Sequence, residues 1–571
     1  MASSNSDACL ERPKRLLHIP SMTSMTWESV VSRLERPPPY NALSYTWGRF
    51  TSEEDPPLDV RGISWRVPGI RPSHFTASEF CDILTTIAPE SGYVWVDIAC
   101  IDQEYLPMKM EEIGKQADIF RGAERAFIWL TAHTDESLSV TSRTLYEFGE
   151  LLASIEVDAS NLSYNKSELQ YMLDDRLGNA LSAAEELFKD PWFSSLWTLQ
   201  EAYLRPDATL LSKDGKSILT PAGKRILNLD LLSAYVQQIY VSLPPPESSR
   251  SSLSPIAQQQ ALLTCLHRSG LMGIDTLDVP VHIYPAAHAR TCENDVDRVY
   301  AIMQVYRLRL GASRHPHRVY TINQLEDELV QALNGISPLA AQLFLHDRPP
   351  SAGRAWMITR VCVLPPTYFL VGSVRNLCTI YASSQKNQLE QRHQQQIAVY
   401  KGRECSLDEM TACWVASIRQ RTHEYLHHTN PNYRFYHYSA DIDLDAGHVD
   451  QVSRPMFFRL MEERLSTCAC GFCQRVDRNS EGPSLGVARL KEILPYPMAQ
   501  YRLLEIANFF TSVSLGGGYS VHCSMAILGL FENDGDRRFF RRVGICCWEK
   551  AQGELVSVYD SVWTATECFL A

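Results

Sequence analysis

The sequence lacks both a long apolar run and an apolar leader. No stretch approaches the ~18 consecutive apolar residues that a membrane-spanning helix needs. Residues 1–20 carry early charges, such as Glu11 and Arg12, where a secretory signal would have its apolar core. We therefore expect a cytoplasmic protein without a membrane span.

Positive charge is in deficit, because 54 Lys and Arg residues face 66 Asp and Glu residues and give a net charge of −12. Cationic groups supply most of the non-specific affinity for phosphate backbones, so this balance argues against a nucleic acid partner. The sequence also has no P-loop, no Gly-x-Gly-x-x-Gly after a strand and no Gly-x-Ser-x-Gly elbow. Its 571 residues are enough for several folded domains.

In the first third of the chain, short apolar segments alternate with helical ones. The apolar segments, predicted to be strands, are Arg15–Ile19, Ala42–Tyr45, Tyr93–Ile101 and Ala126–Leu130. Helical spacing of apolar residues is found at Glu79–Ala88, at Met110, Ile113, Ala117 and Phe120, at Leu177–Phe188 and within Pro191–Leu204. The almost uniformly apolar Tyr93–Ile101 is typical of a strand buried on both faces. This alternation predicts an α/β domain in which helices flank a parallel sheet.

The pattern changes after this region. We predict a break near Arg205–Gly215, a first domain at residues 1–215 and a mixed α+β C-terminal region at residues 216–571. Residues 242–255 are rich in Pro and Ser and are predicted to form a disordered linker. Val543–Val558 alternates apolar and polar residues, which predicts a hairpin.

Four sequence blocks carry a family resemblance. They read YNALSYTWG at Tyr40–Gly48, VWVDIACIDQ at Val94–Gln103, IGKQADIF at Ile113–Phe120 followed by IWL at Ile128–Leu130, and PWF with LWTLQEA within Pro191–Ala202. In this order and spacing they resemble the fungal heterokaryon incompatibility (HET) domain. Further on, Arg290–Cys292 and Asp295–Ala301 resemble a segment often found after HET domains.

The resemblance implies a TIR-like, flavodoxin-like fold and a role in self/non-self recognition or programmed cell death. It implies protein partners, through incompatibility or self-association, and no resident cofactor. Our main hypothesis is that the HET domain signals as an assembly module, since a fold by itself does not fix a function. The alternative is an enzyme that takes NAD as its substrate.

Trp197 and Glu201 carry the enzyme alternative. Many TIR domains cleave the nicotinamide–ribose bond of NAD with a glutamate four positions after a tryptophan, which is the spacing here. On a helix the two side chains share a face. The carboxylate suits this reaction because the transition state resembles an oxocarbenium ion. Glu201 is therefore the candidate catalytic residue and Trp197 a candidate substrate-binding residue; otherwise Glu201 pairs structurally and Trp197 packs in the core.

The loop after the second predicted strand supplies further candidates for substrate binding, Tyr45, Trp47, Gly48 and Arg49. Ligands of open α/β sheets bind beyond the carboxyl ends of strands. There a glycine permits close backbone approach, Trp47 can stack on a ring, and Arg49 can meet a phosphate. The competing interpretation is that Trp47 packs inward.

Three polar residues belong to the third predicted strand or follow it. We interpret Asp97 as a structural anchor, because a carboxylate within an apolar strand must be satisfied by hydrogen bonds. Asp102 and Gln103 end the apolar run, and we expect them to face the crevice as substrate-binding residues.

Two motifs suggest metal binding without completing a site. His423 and His427 fit the H-E-x-x-H pattern, which makes a zinc-dependent hydrolase a further alternative. Cys468, Cys470 and Cys473 are three close thiols without a second Cys-x-x-Cys pair. No metal is assigned to either motif.

Overall fold

The computed structural model describes residues 11–158, 166–221, 223, 225–243, 253–272, 274, 283–351, 353–363, 371–382, 397–416, 440–448, 456–460, 487–513, 519–534, 537–549 and 560–570. The chain forms two compact units. The first takes in the chain up to Asp275 together with Ala286–Leu329, and the second takes in Thr276–Pro285, Val330–Val513 and Gly518–Ala571. The domain boundary at residue 215 stays a prediction. Residues 244–252 of the predicted linker lie outside the described residues.

The first unit contains a central sheet and a short two-stranded one. Its strands are β1 (Arg15–His18), β2 (Thr23–Thr26), β3 (Asn41–Ser44), β4 (Thr51–Pro57), β5 (Gly69–Ile70), β6 (Tyr93–Trp95), β7 (Ala126–Trp129) and β8 (Thr209–Leu211). The central sheet has the order β2-β1-β6-β3-β7-β8, and β4 pairs with β5.

The central sheet is parallel over four strands and antiparallel at one edge. Strand β3 runs parallel to β6 and β7, and β7 runs parallel to β8. Strand β1 is antiparallel to both β2 and β6. The predicted parallel sheet is therefore confirmed for its centre, while the first predicted strand belongs to an antiparallel hairpin with β2. Numbered along the chain, the parallel strands have the order 2-1-3-4.

Helices surround this sheet. Those of the first unit are α1 (Trp27–Leu34), α2 (Ala77–Ile87), α3 (Asp97–Cys100), α4 (Leu106–Ile113), α5 (Gln116–Gly122), α6 (Asp135–Asp158), α7 (Lys166–Phe188), α8 (Pro191–Ser194), α9 (Leu196–Leu204), α10 (Leu229–Ser242), α11 (Leu253–Arg268) and α13 (Asp297–Met303). Helices α12 (Ile283–His288) and α14 (Ile322–Ile336) contain residues of both units. None of the described helices has the length and apolarity needed to cross a membrane.

Helix α2 shows how local sequence sets an element. Thr76 and Glu79 form a capping box, in which the Glu79 amide donates to Thr76 Oγ1 over 3.2 Å and the Thr76 amide donates to Glu79 Oε2 over 2.7 Å. Such reciprocal bonds satisfy two amides that a helix start otherwise leaves unpaired. The buried face of the helix, which includes Phe80 and Leu84, packs in the core of the unit.

Two predictions of element boundaries were wrong, and one strand was not predicted. The strand expected at Tyr93–Ile101 ends at Trp95, and the one-turn helix α3 follows it. A uniformly apolar run does not distinguish a buried strand from a buried helix, and the Asp97 carboxylate accepts the Ile98 amide at 2.7 Å. The helix expected through Phe120 is two helices, α4 and α5. Strand β8, which lies within Arg205–Gly215, was not predicted, because it is too short to show a period.

The second unit is mainly antiparallel sheet. Its elements are α15 (Pro338–Gln342), β9 (Leu345–His346), β10 (Cys362–Val363), β11 (Val371–Asn376), β12 (Thr379–Ala382), β13 (Ala398–Ser406), β14 (Ala440–Leu444), β15 (Met456–Leu460), α16 (Val487–Ile493), β16 (Tyr501–Val513), β17 (Tyr519–Asp534), β18 (Arg537–Glu549) and β19 (Thr564–Leu570). This agrees with the mixed α+β prediction. Strand β18 covers the start of the predicted hairpin Val543–Val558, and residues 550–559 lie outside the described residues.

Five of these strands pair in a closed ring. Strand β16 pairs with β17, β17 with β18, β18 with β19, β19 with β13, and β13 with β16. Only the β18–β19 pairing is parallel. Apolar side chains of this unit, among them Trp414, Leu503 and Trp548, form a buried cluster.

Candidate functional site

Hydrogen bonds fix the start of the motif at Tyr40–Gly48. The Tyr40 hydroxyl donates to the Ile119 carbonyl over 2.7 Å. The Asn41 amide group donates to the Ile87 carbonyl over 2.6 Å and accepts the Arg125 amide at 3.0 Å. These bonds hold the beginning of β3 to neighbouring segments, so that the strand delivers its last residues to the carboxyl edge of the sheet.

Glu201 lies at this edge. It projects from α9, remains partly exposed, and accepts a hydrogen bond at Oε2 from the Ser44 hydroxyl. Ser44 is buried and itself accepts from Trp192 Nε1 over 2.7 Å. The three side chains form a chain of donors that ends on the carboxyl group. The last residue of β3 thereby orients the predicted catalytic residue.

The surroundings of Glu201 favour its neutral form. Burial raises its pKa from 4.5 to about 8, the Ser44 hydrogen bond opposes this increase, and the nearby charge of Asp97 adds to it. A carboxyl group with this pKa is protonated in a large fraction of molecules at neutral pH. The protonated carboxyl group can donate a hydrogen bond. A positive charge in the site would lower its pKa and so favour the carboxylate.

Asp97 is the second carboxylate. Its Oδ2 accepts from Trp47 Nε1 over 2.7 Å, and its Oδ1 accepts the Ile98 amide over 2.7 Å. Burial raises the pKa of Asp97, while these two hydrogen bonds and the charge of Lys109 lower it. Asp97 thus accepts a hydrogen bond from the Trp47 loop, and its charge also acts on Glu201.

Two further carboxylates lie near Trp197, Lys109 and Gly48. The Trp197 side chain hydrogen-bonds to Asp297, whose pKa burial raises to about 6, and the charge of Lys109 opposes the increase. The charge of Glu293 acts on Asp297 in turn. A Cβ atom on exposed Gly48 would lie 3.8 Å from Glu293 Oε1. We call the set the acidic cluster; its members are Asp97, Glu201, Glu293 and Asp297, with Lys109 as the nearby cation.

Comparison with known families gave one match. Residues 40–201 match the family model described as heterokaryon incompatibility protein (HET). This chain carries a HET domain. Comparison with curated proteins and with solved structures gave no match.

Arg49 ties the loop after β3 of the HET domain to later segments. Its guanidinium donates to Thr291 Oγ1 over 3.0 Å, to the Pro191 carbonyl over 2.9 Å and to Ser194 Oγ over 2.8 Å. These bonds give Arg49 a structural role, and the contact with a phosphate stays a prediction.

The other predicted binding residues have local partners. Tyr45 is buried, with its ring 5.5 Å from that of Phe80. Asp102 Oδ1 accepts the amides of Glu104 at 3.0 Å and Tyr105 at 2.9 Å, which shapes the turn before α4. Gln103 donates to the carbonyls of Asp97 and Ile101, over 3.2 and 3.1 Å, and so braces α3. These contacts describe turn and core roles, and substrate contact by any of the three stays a prediction.

Sequence reasoning missed a buried polar group beside the site. His74 stacks on Phe50 with a centroid distance of 3.7 Å, and its ring nitrogens lie 2.7 Å from the Thr46 carbonyl and 3.3 Å from Thr131 Oγ1. Burial lowers the pKa of His74 to about 4, so the ring is neutral at physiological pH. It joins the loop after β3 to the segment after β7. No motif marks His74, and only the fold reveals its position.

Asp190 and Arg290 hold the segment that carries Glu201. Asp190, fully buried, accepts the amides of Ala132 at 2.8 Å and Trp192 at 2.9 Å, and it caps α8. Fully buried Arg290 donates to the carbonyls of Trp192 and Ser195 over 3.2 and 3.0 Å.

Arg290 makes further hydrogen bonds to Thr198 Oγ1 over 3.0 Å and to the Ser269 carbonyl. Burial lowers its pKa, yet a guanidinium stays charged at neutral pH. Arg290, Glu293 and Asp297 fall in or beside the segments that resemble sequence found after HET domains. The resemblance of those segments was the one sequence feature that pointed to Arg290, Glu293 and Asp297. It did not indicate a chemical role for any of the three.

The candidate metal ligands lie outside the described residues. His423 and His427 fall within 417–439, and Cys468, Cys470 and Cys473 within 461–486, outside the described residues. Over the part of the chain that is described, no three His, Cys, Asp or Glu side chains come together as ligands of a metal ion.

Proposed function

We propose that this chain is a fungal, cytoplasmic signalling protein of heterokaryon incompatibility and programmed cell death, and that its HET domain cleaves the nicotinamide–ribose bond of NAD at the acidic cluster. The observation that carries the proposal is Glu201, which is partly exposed, held by Ser44 and close enough to Asp97 for their charges to interact. A partly exposed carboxyl that is held beside a second one is the arrangement this chemistry needs.

The topology supports this location. The parallel strands have the order 2-1-3-4, which is that of the first four strands of flavodoxin-like sheets, and such sheets bind ligands beyond the carboxyl ends of their strands. The residues that follow β3 and β6 include Trp47 and Asp97, and these two are hydrogen-bonded to each other. We therefore propose a TIR-like fold for this domain together with the site.

The chemistry requires negative charge near the ribose. As the bond between ribose C1′ and the pyridinium nitrogen breaks, its electron pair neutralises the ring, and positive charge develops on the sugar. Water then attacks C1′ and releases a proton, giving ADP-ribose and nicotinamide. Asp97 stabilises this charge by electrostatics. The cationic nicotinamide ring lowers the pKa of Glu201 on binding, so its carboxylate also stabilises the charge or binds the ribose hydroxyls.

The two tryptophans position the substrate in this proposal. The indole N–H of Trp47 donates to Asp97. The Trp197 side chain hydrogen-bonds to Asp297. Both rings remain partly exposed. A ring that is fixed at its edge and open at its face is suited to stack on nicotinamide or adenine.

The test is NAD consumption by the full-length protein. Glu201→Gln keeps the shape and the acceptor for Ser44, and we expect it to reduce turnover at least ~100-fold, as loss of a key electrostatic group does. The matched control is Glu185→Gln, which removes an exposed carboxylate on α7. Turnover that survives in Glu201→Gln, or its absence from the wild type at every concentration, would refute NAD cleavage at this site.

A specific observation favours assembly as the second candidate. Tyr105, Leu106 and Met108, at the start of α4, expose 53%, 55% and 38% of their surface. Adjacent exposed apolar side chains are typical of interaction surfaces. We expect Leu106→Glu to abolish self-association measured by light scattering, whereas Leu219→Glu, at another exposed apolar position, leaves it intact. Equal association in both variants would exclude this surface.

A further inference from the structure

A pocket of about 590 Å³ lies in the second unit. It is lined by residues of three strands and of the turn that precedes β16. They are Tyr496, Ala499, Gln500, Arg502, Leu530, Phe531, Glu532, Asn533, Arg538 and Arg541. A volume of this size is within the range of ~300–1,000 Å³ that small-molecule sites occupy.

The sheet brings three arginines to this pocket. Arg502 is at the start of β16, and Arg538 and Arg541 are on β18. Strand β17 lies between the two strands and pairs with both, with Gly529 opposite Arg502 and Leu530 opposite Arg541. Antiparallel pairing therefore places side chains that are distant in sequence around one concave surface.

The carboxylates nearby do not use all of these guanidinium groups. Arg541 Nε donates to Glu532 over 2.6 Å, and Arg538 Nη1 donates to Glu404 over 3.0 Å. Each of these bonds engages a single nitrogen. Within the described residues, Arg502 has no ion pair. A guanidinium has five N–H donors, so most donors of the three arginines are not used by a carboxylate among the described residues.

The formal charge of the pocket also calls for an anion. Three guanidinium groups face two carboxylates, which leaves one excess positive charge in a concave setting. In a chain with a net charge of −12, this concentration of cations runs against the overall composition. Arginine is the residue best suited to bind phosphate, because its planar fork matches two phosphate oxygens.

Aromatic residues complete the pocket. The Arg538 guanidinium lies 3.3 Å from the centroid of the Phe531 ring, and this stacking orients it. Tyr496 is 45% exposed, and its ring lies 6.4 Å from that of Tyr501. Tyr496 therefore offers a partly exposed aromatic face in the lining of the pocket, where it can stack on a planar ring.

From this arrangement we propose that the second unit binds a nucleoside phosphate, with its phosphates on Arg502, Arg538 and Arg541 and its base against Tyr496. The pocket belongs to the second unit and the acidic cluster to the first, and this proposal does not depend on NAD cleavage.

Isothermal titration calorimetry of ADP into the full-length protein tests this proposal. We expect saturable binding that weakens as salt is added. Arg502→Gln and Arg541→Gln should each weaken it about tenfold, the effect of losing one charge-assisted hydrogen bond. The control is Arg375→Gln, an exposed arginine of β11 that does not line the pocket. Glu201→Gln should bind ADP as the wild type does, which separates this site from the proposed NAD site.

Two further ligands test the two halves of the assignment. Adenosine, which lacks phosphate, should not bind, and pyrophosphate, which lacks the nucleoside, should bind more weakly than ADP. Tyr496→Ala should remove this advantage of ADP over pyrophosphate. Absence of ADP binding, or equal binding by wild type and Arg502→Gln, would overturn the site. Equal binding of pyrophosphate and ADP would overturn the nucleoside assignment.

Discussion

Replacing Glu201 with Gln should stabilise the protein in a strongly pH-dependent manner. Burial raises the pKa of this carboxyl from 4.5 to about 8. A carboxyl whose pKa is higher in the folded state contributes stability that is complete below the unfolded pKa. That stability is lost as the pH rises through the folded pKa. Gln does not titrate, so the difference between wild type and variant isolates this loss.

The magnitude follows from the two pKa values. Between about pH 5 and about pH 8 the wild type should lose about 3.5 kcal/mol relative to the variant, from the linkage relation. Glu201 is partly exposed, and solvent screening reduces this figure to roughly 2 kcal/mol. The hydrogen bond from Ser44 persists in the variant, because the Gln side-chain oxygen accepts it equally well.

The assay is urea unfolding of both proteins, followed by tryptophan fluorescence at several pH values. Glu185→Gln on α7 is the control, because it makes the same change of side chain at an exposed position. A difference between wild type and Glu201→Gln that stays constant across this range would refute the reasoning. It would mean that the carboxyl titrates alike in the folded and unfolded chains.

Three further substitutions test the support of the site, each by chemical unfolding of the full-length protein. Arg290→Met leaves buried acceptors without their donor and should cost about 3 kcal/mol; unchanged stability would mean that water replaces the guanidinium. Gly270 has φ +69°, and a Cβ there would lie 2.9 Å from Leu199 Cδ1 and 3.1 Å from the Arg290 guanidinium. Gly270→Ala should therefore cost ~1–3 kcal/mol, and a neutral result would show that the backbone relaxes. Asp190→Ala removes the acceptor of two buried amides and should cost ~2 kcal/mol, more than Asp190→Asn, which keeps one acceptor; equal costs would contradict this account.

Sequence patterns predicted the centre of the first unit because its strands are apolar and its helices amphipathic. The predicted strand at Ala126–Leu130 and helix at Glu79–Ala88 agree with β7 and α2 within two residues. The turn at Asp97 was missed because the residues on both sides of it are buried, and uniform burial carries no period. The strand β8 was missed because three residues cannot show alternation.

The candidate site was predictable only in part, for a physical reason. Glu201, Trp197 and Trp47 could be named because each lies in a short motif with a chemical interpretation. The orientation of Glu201 by Ser44 depends on a contact between residues far apart in the chain, which no local pattern encodes. The sequence likewise did not mark Asp297 as a site residue, because its place in the site depends on its contact with the Trp197 side chain.

The buried guanidinium of Arg290 bears on how this HET domain can be moved between proteins. The family match ends at residue 201, yet the carbonyls of α8 and the start of α9 are paired by a side chain that follows much later in the sequence. A transplant or chimera cut at the end of the match would leave these acceptors unpaired beneath the catalytic candidate. For exchange between proteins, the working module extends at least to Leu329, where the first compact unit ends.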